Sequence, residues 1–395
     1  MARSTVLMML GTLLLSAAAQ AAKTYNWTGA AGDGLFQSPG NWEPEYDPGV
    51  SDTLNYKTPA SGEETVRLTS NLYSAYFNVS SDEGSTGRAV IDLDGNELWV
   101  TNGSRMTFSN PMPVVFSNGS IRTWCRYKSA GSTTVSENAS INTSGSKADI
   151  TFDHVDFNFS KPASQITSAD ECYITCKDST MSGYPYNSLK SNTHLVFDNT
   201  SYYVGNKKGL DVSSGATNAT IELVNGSVFS TDSGYAFGND SGYRSNCRAY
   251  IAPGTKLSNP MYFCASPNGA YSCAVFTNAT LSATLKISGT NNVVEFIGST
   301  WHFSGSKSVP SVSGTGNSIR FGGDKSDVSV SYLDISGKDS GLEIMDNLVY
   351  TNAATCGEVR FQKGSDGAFV KVGTNCVLRM SNIANIAYEN ACTNS

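Results

Sequence analysis

Apolar and polar residues alternate in short stretches along this chain, and a bend signal follows each stretch. The segment from Ile221 to Phe229, I-E-L-V-N-G-S-V-F, is the clearest instance: apolar, any, apolar, any, Asn or Gly, any, Ser or Thr, any, apolar. Alternation with a period of two predicts a half-buried strand, and Asn-Gly predicts a bend. The unit therefore predicts strand, corner, strand.

The same pattern recurs through most of the chain. Aligned on their second apolar position, the units place twelve residues in register: Leu93, Phe116, Phe152, Ile174, Phe197, Leu223, Ile251, Phe276, Phe296, Phe321, Ile344 and Val372. The eleven steps cover 372 minus 93, or 279 residues, about 25 each. Such a period, built of short strands and bends, predicts a solenoid, because each unit can bury its apolar face only against the next. A leucine-rich repeat would need a Leu-rich consensus and a helical half, so we predict an all-β fold, a right-handed parallel β-helix of about twelve coils.

The first 21 residues differ from the rest of the chain. A basic residue, Arg3, precedes an apolar run from Val6 to Leu15, and small residues follow up to Ala21. This order is typical of a secretory signal peptide, and the run is shorter than the roughly 20 apolar residues that span a bilayer as a helix. We therefore expect an exported protein, secreted or at the cell surface, with no transmembrane helix in the mature chain.

The expected organisation has three parts. Residues 1–21 form the signal peptide, residues 22–87 form an N-terminal aromatic cap with the first strands, and residues 88–395 form the β-helix repeats. A cap is expected because the first layer of a solenoid would otherwise expose unpaired strand edges.

Aromatic residues and bends dominate the start of the mature chain. The motifs are W-T-G from Trp27, D-G-x-F from Asp33 and P-x-N-W from Pro39 to Trp42. They resemble the opening segment of secreted, autotransporter-type bacterial proteins whose bodies are β-strand repeats. The resemblance implies architecture and a surface location and carries no catalytic residue. We expect Trp27 and Trp42 to pack in the cap; in the alternative, their rings are exposed and bind a glycan.

Composition supports β structure and limits the partners. The 395 residues are 39% hydrophobic and only 15% charged, with 37 Gly, which suits strands and tight bends better than long helices. The net charge is −7. Nucleic acids and anionic lipids are bound chiefly through basic contacts, so we expect no nucleic-acid partner.

Nine cysteines leave at least one thiol without an intramolecular partner. Cys172 and Cys176 should share one face of a strand with their α-carbons roughly 13 Å apart, too far for a disulfide. Zinc sites generally use paired C-x-x-C spacing, which these cysteines lack. We expect buried structural cysteines, with one or more disulfides as the alternative, and no metal site or cofactor.

The repeats resemble the pectin-lyase-like β-helix superfamily, whose coils have three short strands and stack like residues at equivalent bends. Asn118, Asn199, Asn225 and Asn278 fall at one bend position, as an Asn ladder would require, and the position is taken elsewhere by Gly95, Gly298 and Gly323. For enzymes of this superfamily the resemblance implies clustered carboxylates for hydrolysis, or calcium-binding acids with an Arg or Lys base for elimination.

Three groups of charged residues could supply such chemistry. They are Asp153, His154 and Asp156; Asp232, Asp240, Arg244 and Arg248; and Asp324, Lys325 and Asp327. None reproduces the superfamily's Gly-Asp-Asp, Asn-Thr-Asp or Arg-x-Pro-x-x-Arg signatures. The histidines at 154, 194 and 302 are expected to be ordinary surface or bend residues.

The sequence thus favours an exported, non-enzymatic surface, adhesive or scaffolding β-helix whose partners are polysaccharides or host or cell-surface ligands. One alternative is a polysaccharide lyase or glycoside hydrolase of the pectin-lyase-like superfamily, with Asp232, Asp240, Arg244 and Arg248 as catalytic candidates. Another is a glycan-binding module without catalysis that uses Trp27 and Trp42.

Overall fold

The computed structural model describes most of the chain, and nearly every regular element is a β-strand. It covers residues 21–46, 51–100, 105–110, 112–123, 140–143, 147–204, 210–213, 215–231, 244–257, 261–263, 269–303, 309–323, 325–352, 358–380 and 386–388. The helical structure in these ranges is one 3₁₀ turn, Pro39–Asn41. No helix in the same ranges is long and apolar enough to cross a bilayer.

The strands stack in parallel from coil to coil, and the predicted parallel β-helix is confirmed. Among the described residues, the first ladder contains thirteen strands: Glu63–Arg67, Arg88–Asp92, Val114–Thr123, Asp149–Thr167, Tyr173–Lys177, His194–Asp198, Thr220–Val224, Arg248–Ile251, Cys273–Thr277, Val293–Ile297, Ser318–Gly322, Gly341–Ile344 and Phe369–Val372.

The second ladder lies beyond the first corner of each coil. It contains the later half of Val114–Thr123, the middle of Asp149–Thr167 and the first part of Thr180–Leu189, together with Leu72–Ser74, Glu97–Val100, Ser201–Val204, Val228–Thr231, Lys256–Leu257, Thr280–Leu281, Thr300–Phe303, Lys325–Val330, Val349–Asn352 and Val377–Met380.

The third ladder is described in two runs. The N-terminal run includes the ends of Asp149–Thr167 and Thr180–Leu189 and the strands Thr24–Trp27, Thr53–Lys57, Tyr76–Ser80, Arg105–Ser109, Ser140–Thr143 and Leu210–Val212. The C-terminal run consists of Met261–Phe263, Leu285–Ile287, Ser311–Val312, Tyr332–Ile335, Glu358–Phe361 and Ile386–Tyr388. A short parallel pair, Arg244–Ser245 with Gly269–Ala270, lies apart from these ladders.

One inward column of the first ladder forms the centre of the core. In register order its members are Val66, Ile91, Phe116, Phe152, Cys176, Phe197, Leu223, Ile251, Phe276, Phe296, Phe321, Ile344 and Val372. Neighbouring rings stack, with centroids 4.7 Å apart for Phe276 and Phe296 and 5.2 Å apart for Phe296 and Phe321. All members but Val372 are buried. Stacking on the next coil therefore buries the apolar face that a single coil leaves open.

For two of the twelve aligned residues, the predicted place in the column was wrong by two positions. The column contains Ile91 in place of Leu93 and Cys176 in place of Ile174, and it extends one coil further back, to Val66. A shift of two residues leaves a side chain on the same face of a strand, so alternation of apolar residues cannot detect it. The face was correct in both cases, and only the register was wrong.

The first corner uses residues in the left-handed region, as the Asn and Gly pattern indicated. Asn118, Asn199, Asn225 and Asn278 have φ values of 56°, 46°, 53° and 46°. Asn and Gly tolerate this region better than most residues. The expected stacking of Asn on Asn is wrong for three of these residues, because their amides donate to aspartates of the preceding coil: Asn118 to Asp92 at 3.1 Å, Asn199 to Asp178 at 2.6 Å and Asn225 to Asp198 at 2.5 Å.

Buried hydroxyl groups explain the Ser or Thr of the repeat. Ser179, Thr200, Ser227, Thr255 and Ser299 all lie inside this corner. The Ser227 hydroxyl accepts the backbone N–H of Thr200 at 3.0 Å and lies 2.9 Å from the Phe197 carbonyl oxygen, to which it donates. Both partners belong to the preceding coil. Each hydroxyl thus satisfies backbone groups that the corner takes out of the ladders.

The cap at the N-terminal end is an aromatic cluster. Thr24–Trp27 pairs in parallel with Thr53–Lys57 and antiparallel with Trp42–Glu43. The ring centroids of Trp27 and Trp42 lie 5.2 Å apart, and those of Phe36 and Trp42 lie 4.9 Å apart. Phe36 also stacks on Phe77 of the next layers at 6.0 Å. The cluster therefore closes the apolar interior at this end of the solenoid.

Ser227→Ala is expected to lower the free energy of unfolding by about 1–3 kcal/mol, because the buried N–H of Thr200 loses its acceptor. Urea unfolding followed by circular dichroism measures the difference. The matched control is Ser282→Ala at an exposed serine, expected to stay within about 0.5 kcal/mol. Equal destabilisation by the two substitutions would contradict a structural role for the hydroxyl column.

Candidate functional site

Three consecutive coils form an open depression of about 380 Å³ on the outside of the first ladder. Lys147, Asp149, Glu171, Tyr173 and Asn192 line it. Lys147, Glu171 and Asn192 occupy equivalent left-handed corners, with φ values of 70°, 60° and 55°. Asp149 and Tyr173 begin adjacent strands and are register partners. The winding of the chain thus brings residues from three separate units to one surface.

An aromatic ring forms one wall of the depression. Tyr173 is 56% exposed, although its neighbours Cys172 and Ile174 are buried inside the coil. Its register partner on the next coil is His194, with ring centroids 5.8 Å apart. His194 Nε2 in turn lies 3.0 Å from Glu222 Oε1. The tyrosine therefore presents its ring to solvent beside a supporting imidazole and carboxylate.

The charges around the depression are unequally paired. Lys147 Nζ lies 3.6 Å from Glu171 Oε2. The backbone of Asp149 is held by Asn110, which accepts its N–H and donates Nδ2 to its carbonyl oxygen, both at 3.2 Å. Within the described part of the chain, no hydrogen bond or ion pair reaches the Asp149 carboxyl group, and burial raises its pKa. Asp149 thus offers an acceptor that ligands can use.

A second group of titratable side chains lies at the first corner of the same coils. His154 Nδ1 lies 2.6 Å from Asp153 Oδ1, and His154 Nε2 lies 4.0 Å from Asp178 Oδ2. Lys177 Nζ lies 3.4 Å from Asp153 Oδ2 and 3.7 Å from Asp178 Oδ2. Asp153 raises the pKa of Lys177, and the Asn199 amide lowers the pKa of Asp178. Asp153 and His154 were predicted as a group from the sequence, but their partners Lys177 and Asp178 were not, because these two residues lie on the next coil.

The group at the corner also contains possible metal ligands. One donor atom each from Asp153, His154 and Asp178 lie within 4.8 Å of one another. Carboxylate oxygen and imidazole nitrogen are ordinary ligands of divalent transition metals. The Lys177 ammonium group lies against both carboxylates, however, and supplies the positive charge that an ion would bring. The geometry is that of a satisfied ion-pair network.

The predicted catalytic candidates are only partly described. Asp232 and Asp240 lie outside the described residues. Arg244 is buried and donates Nε to the Val212 carbonyl oxygen. Arg248 is exposed, and its Nη1 lies 3.5 Å from the Tyr250 hydroxyl. One arginine therefore supports the backbone from inside while the other lies on the surface, so these two residues do not form a common site.

The remaining sequence candidates are dispersed. Asp156 is exposed beyond the corner, on the second ladder, away from the strand that contains Asp153. Asp327 Oδ2 lies 3.5 Å from His302 Nε2 of the preceding coil. Asp324 and the side chain of Lys325 lie outside the described residues. The histidines at 154, 194 and 302 are thus each found next to a carboxylate on the solenoid surface.

The cap tryptophans do not provide an open platform for a sugar. Trp27 is 8% exposed and Trp42 is 4% exposed. Trp42 Nε1 donates to the Phe36 carbonyl oxygen at 2.6 Å, and Trp27 Nε1 donates to Glu64 Oε1 at 3.2 Å. The alternative of exposed rings is therefore wrong at these two positions, because both rings are needed to cover the first coils.

Five cysteines are described, and none of these five forms a disulfide. Cys172, Cys176 and Cys247 are buried, while Cys273 and Cys376 are partly exposed. Burial raises the pKa of Cys176, which keeps its thiol protonated inside the core column. The cysteines at 125, 264, 356 and 392 lie outside the described residues.

The depression was missed in the sequence for a specific reason. Aligning Ile174 with Phe152 places Tyr173 opposite Thr151, whereas the true register places it opposite Asp149. Aligning Cys176 with Phe152 instead would have brought Asp149 and Tyr173 together. The signal was the C-Y-I-T-C stretch itself, in which two apolar positions compete for the same place in the column.

No family model, curated protein sequence or solved structure matches this chain. The fold is therefore known from the geometry of the coils alone: parallel, in-register ladders around one apolar column.

Asp149→Asn is expected to stabilise the folded chain near neutral pH. Burial raises the pKa of this carboxyl group on folding, so its ionised form opposes folding once the pH exceeds the folded-state pKa, and the opposition disappears below the ordinary Asp range. The gain should therefore shrink towards about pH 3. Urea unfolding of the native and substituted chains at both pH values measures it, and a gain that persists unchanged in acid would contradict the burial argument.

Proposed function

We propose that this chain is an exported, non-enzymatic β-helix that serves as a surface, adhesive or scaffolding rod. The observation that carries the proposal is that the coils use their inward side chains for one continuous core, while their outward side chains form a long regular surface. A rod of this kind offers stiffness and a repeated exterior, and binding at loops or faces is the usual way that such scaffolds act.

The pairing of surface charges supports the same proposal. Arg122 Nε lies 2.7 Å from Glu97 Oε1, Arg320 Nε lies 3.0 Å from Glu343 Oε2, and similar pairs join Lys57 with Asp82 and Arg360 with Asp334. In all four pairs the partners lie on neighbouring coils. Such pairs contribute little stability individually. They do, however, engage these carboxylates with a cation, whereas acid–base catalysis would require a carboxyl group that is available to a substrate.

The proposal also includes the two family resemblances of the sequence. Parallel coils with left-handed corners agree with the resemblance to the pectin-lyase-like superfamily, and the aromatic cap agrees with the resemblance to autotransporter-type surface proteins. The second resemblance suggests a surface location, where polysaccharides or host ligands would be the partners, and the composition of segment 1–21 independently supports export.

A polysaccharide lyase or hydrolase is the second candidate, and one observation favours it. The carboxyl groups of Asp149 and Glu171 line the same depression, and glycoside hydrolysis uses two carboxyl groups on either side of the scissile bond. The Lys147 ammonium group lies 3.6 Å from Glu171 Oε2, and this ion pair engages one of the two carboxylates, which favours binding over catalysis.

Incubation of the purified chain with pectin, alginate, xylan and β-glucan tests the choice between the two candidates. We expect no new reducing ends and no ultraviolet absorption from unsaturated uronates. Turnover of any polymer would overturn the non-enzymatic proposal, and its loss in an Asp149→Asn, Glu171→Gln variant would place the chemistry in the depression. The Glu343→Gln variant, at a carboxylate outside the depression, is the matched control.

Expression of the full chain in a bacterium with a general secretory pathway tests export. The mature protein is expected outside the cytoplasm and should begin at Ala22, which intact-mass measurement and N-terminal sequencing determine. Retention of residues 1–21 on a cytoplasmic protein would contradict the signal-peptide prediction.

A further inference from the structure

The exposed ring of Tyr173 is poorly explained by packing. Its exposure of 56% contrasts with the buried large aromatic residues of the coils, such as Phe152 and Phe197. A tyrosine at an outward strand position leaves an apolar ring face in water, and the electron-rich face of such a ring attracts C–H groups that carry partial positive charge. An apolar face beside polar groups is the usual composition of a small-ligand site.

The polar groups around the ring are mixed in kind. Asp149 and Glu171 offer acceptors, Lys147 offers donors, and the Asn192 amide nitrogen offers a further donor, since its Oδ1 accepts from Asn218 Nδ2 at 3.0 Å. Hydroxyl groups both donate and accept, so a polyol can use all of these groups. An organic cation could not use Lys147, and an organic anion would meet two carboxylates.

The size and the charge of the depression restrict the chemical class of the ligand further. A volume of about 380 Å³ lies at the lower end of ligand pockets, roughly 300–1,000 Å³, and suits one or two sugar rings. Among the described lining residues the only cationic side chain is Lys147, and Glu171 already neutralises it at 3.6 Å. The Asp149 carboxyl group, without a partner among the described residues, then disfavours uronates and other acidic sugars.

We propose that Lys147, Asp149, Glu171, Tyr173 and Asn192 form a subsite for a neutral saccharide unit, which stacks on Tyr173 and donates hydroxyl hydrogen bonds to Asp149. The inference rests on the proposed function as a binding rod and names the class of ligand that it binds. Neutral, hydroxyl-rich chains of a cell wall or cell coat have the required chemistry.

Calorimetric titration of the full chain with defined probes tests this subsite. Cellohexaose, mannohexaose and chitohexaose serve as neutral probes, a galacturonate oligomer as the acidic probe, and choline as the cationic probe. At least one neutral probe is expected to bind more tightly than the acidic and cationic probes. A preference for the galacturonate or choline, or no binding of any neutral probe, would overturn the proposal.

Substitutions locate the binding. Tyr173→Ala should weaken binding of the neutral probe about tenfold, whereas Tyr173→Phe keeps the ring and should stay within about twofold. The matched control is Tyr271→Ala, at a tyrosine that is 63% exposed and does not line the depression. Equal affinity of the native and Tyr173→Ala chains would overturn the subsite.

Two measurements keep the outcomes separate. Asp149→Asn should also weaken the neutral probe, and circular dichroism verifies that each variant retains its strands, so lost binding cannot be confused with lost folding. If the subsite fails, the proposal of an exported, non-enzymatic rod still stands, because that proposal is tested separately by the assays of polymer turnover and of export.

Discussion

The structure depends on in-register parallel hydrogen bonding between successive coils. Each coil has too little apolar surface to fold alone. The ladders place Phe276, Phe296 and Phe321 directly above one another, so that each coil covers the apolar face of its neighbour. Register and burial therefore enforce each other: a coil displaced by one residue would turn its core outwards. The same register decides which side chains meet on the outer surface, including those that line the Tyr173 depression.

At the corners the ladders cannot satisfy every backbone hydrogen-bonding group, and polar side chains pair with the groups that remain. A left-handed residue such as Asn199 or Asn225 turns the chain, and the turn removes backbone groups from the ladders. Buried hydroxyls of Thr200 and Ser227 then accept and donate across to the preceding coil. In the later coils, Asn292 and Asn317 act similarly at another corner, where Asn317 Oδ1 accepts the Asn292 N–H at 2.8 Å.

The fold could be predicted from the sequence because its cause is periodic. Phe197, Leu223 and Phe296 recur at nearly constant spacing, and burial on one face follows from alternation. The site could not be predicted in the same way, since Asp149 and Tyr173 meet only if the register is known to the residue, and Ile174 and Cys176 are equivalent under alternation. The aspartate partners of the corner asparagines were hidden for the same reason, because they come from a different coil.

The cap has a consequence for self-association. The backbone at Gly34 and Phe36 exchanges hydrogen bonds with Arg67 at 2.9 Å, and Trp42–Glu43 occupies the free edge of Thr24–Trp27 in the antiparallel sense. Open edges of stacked β-structure recruit strands from other molecules and template fibrils. Because the protein fills two such edges with its own chain, their backbone groups are not open to pairing with strands of other molecules.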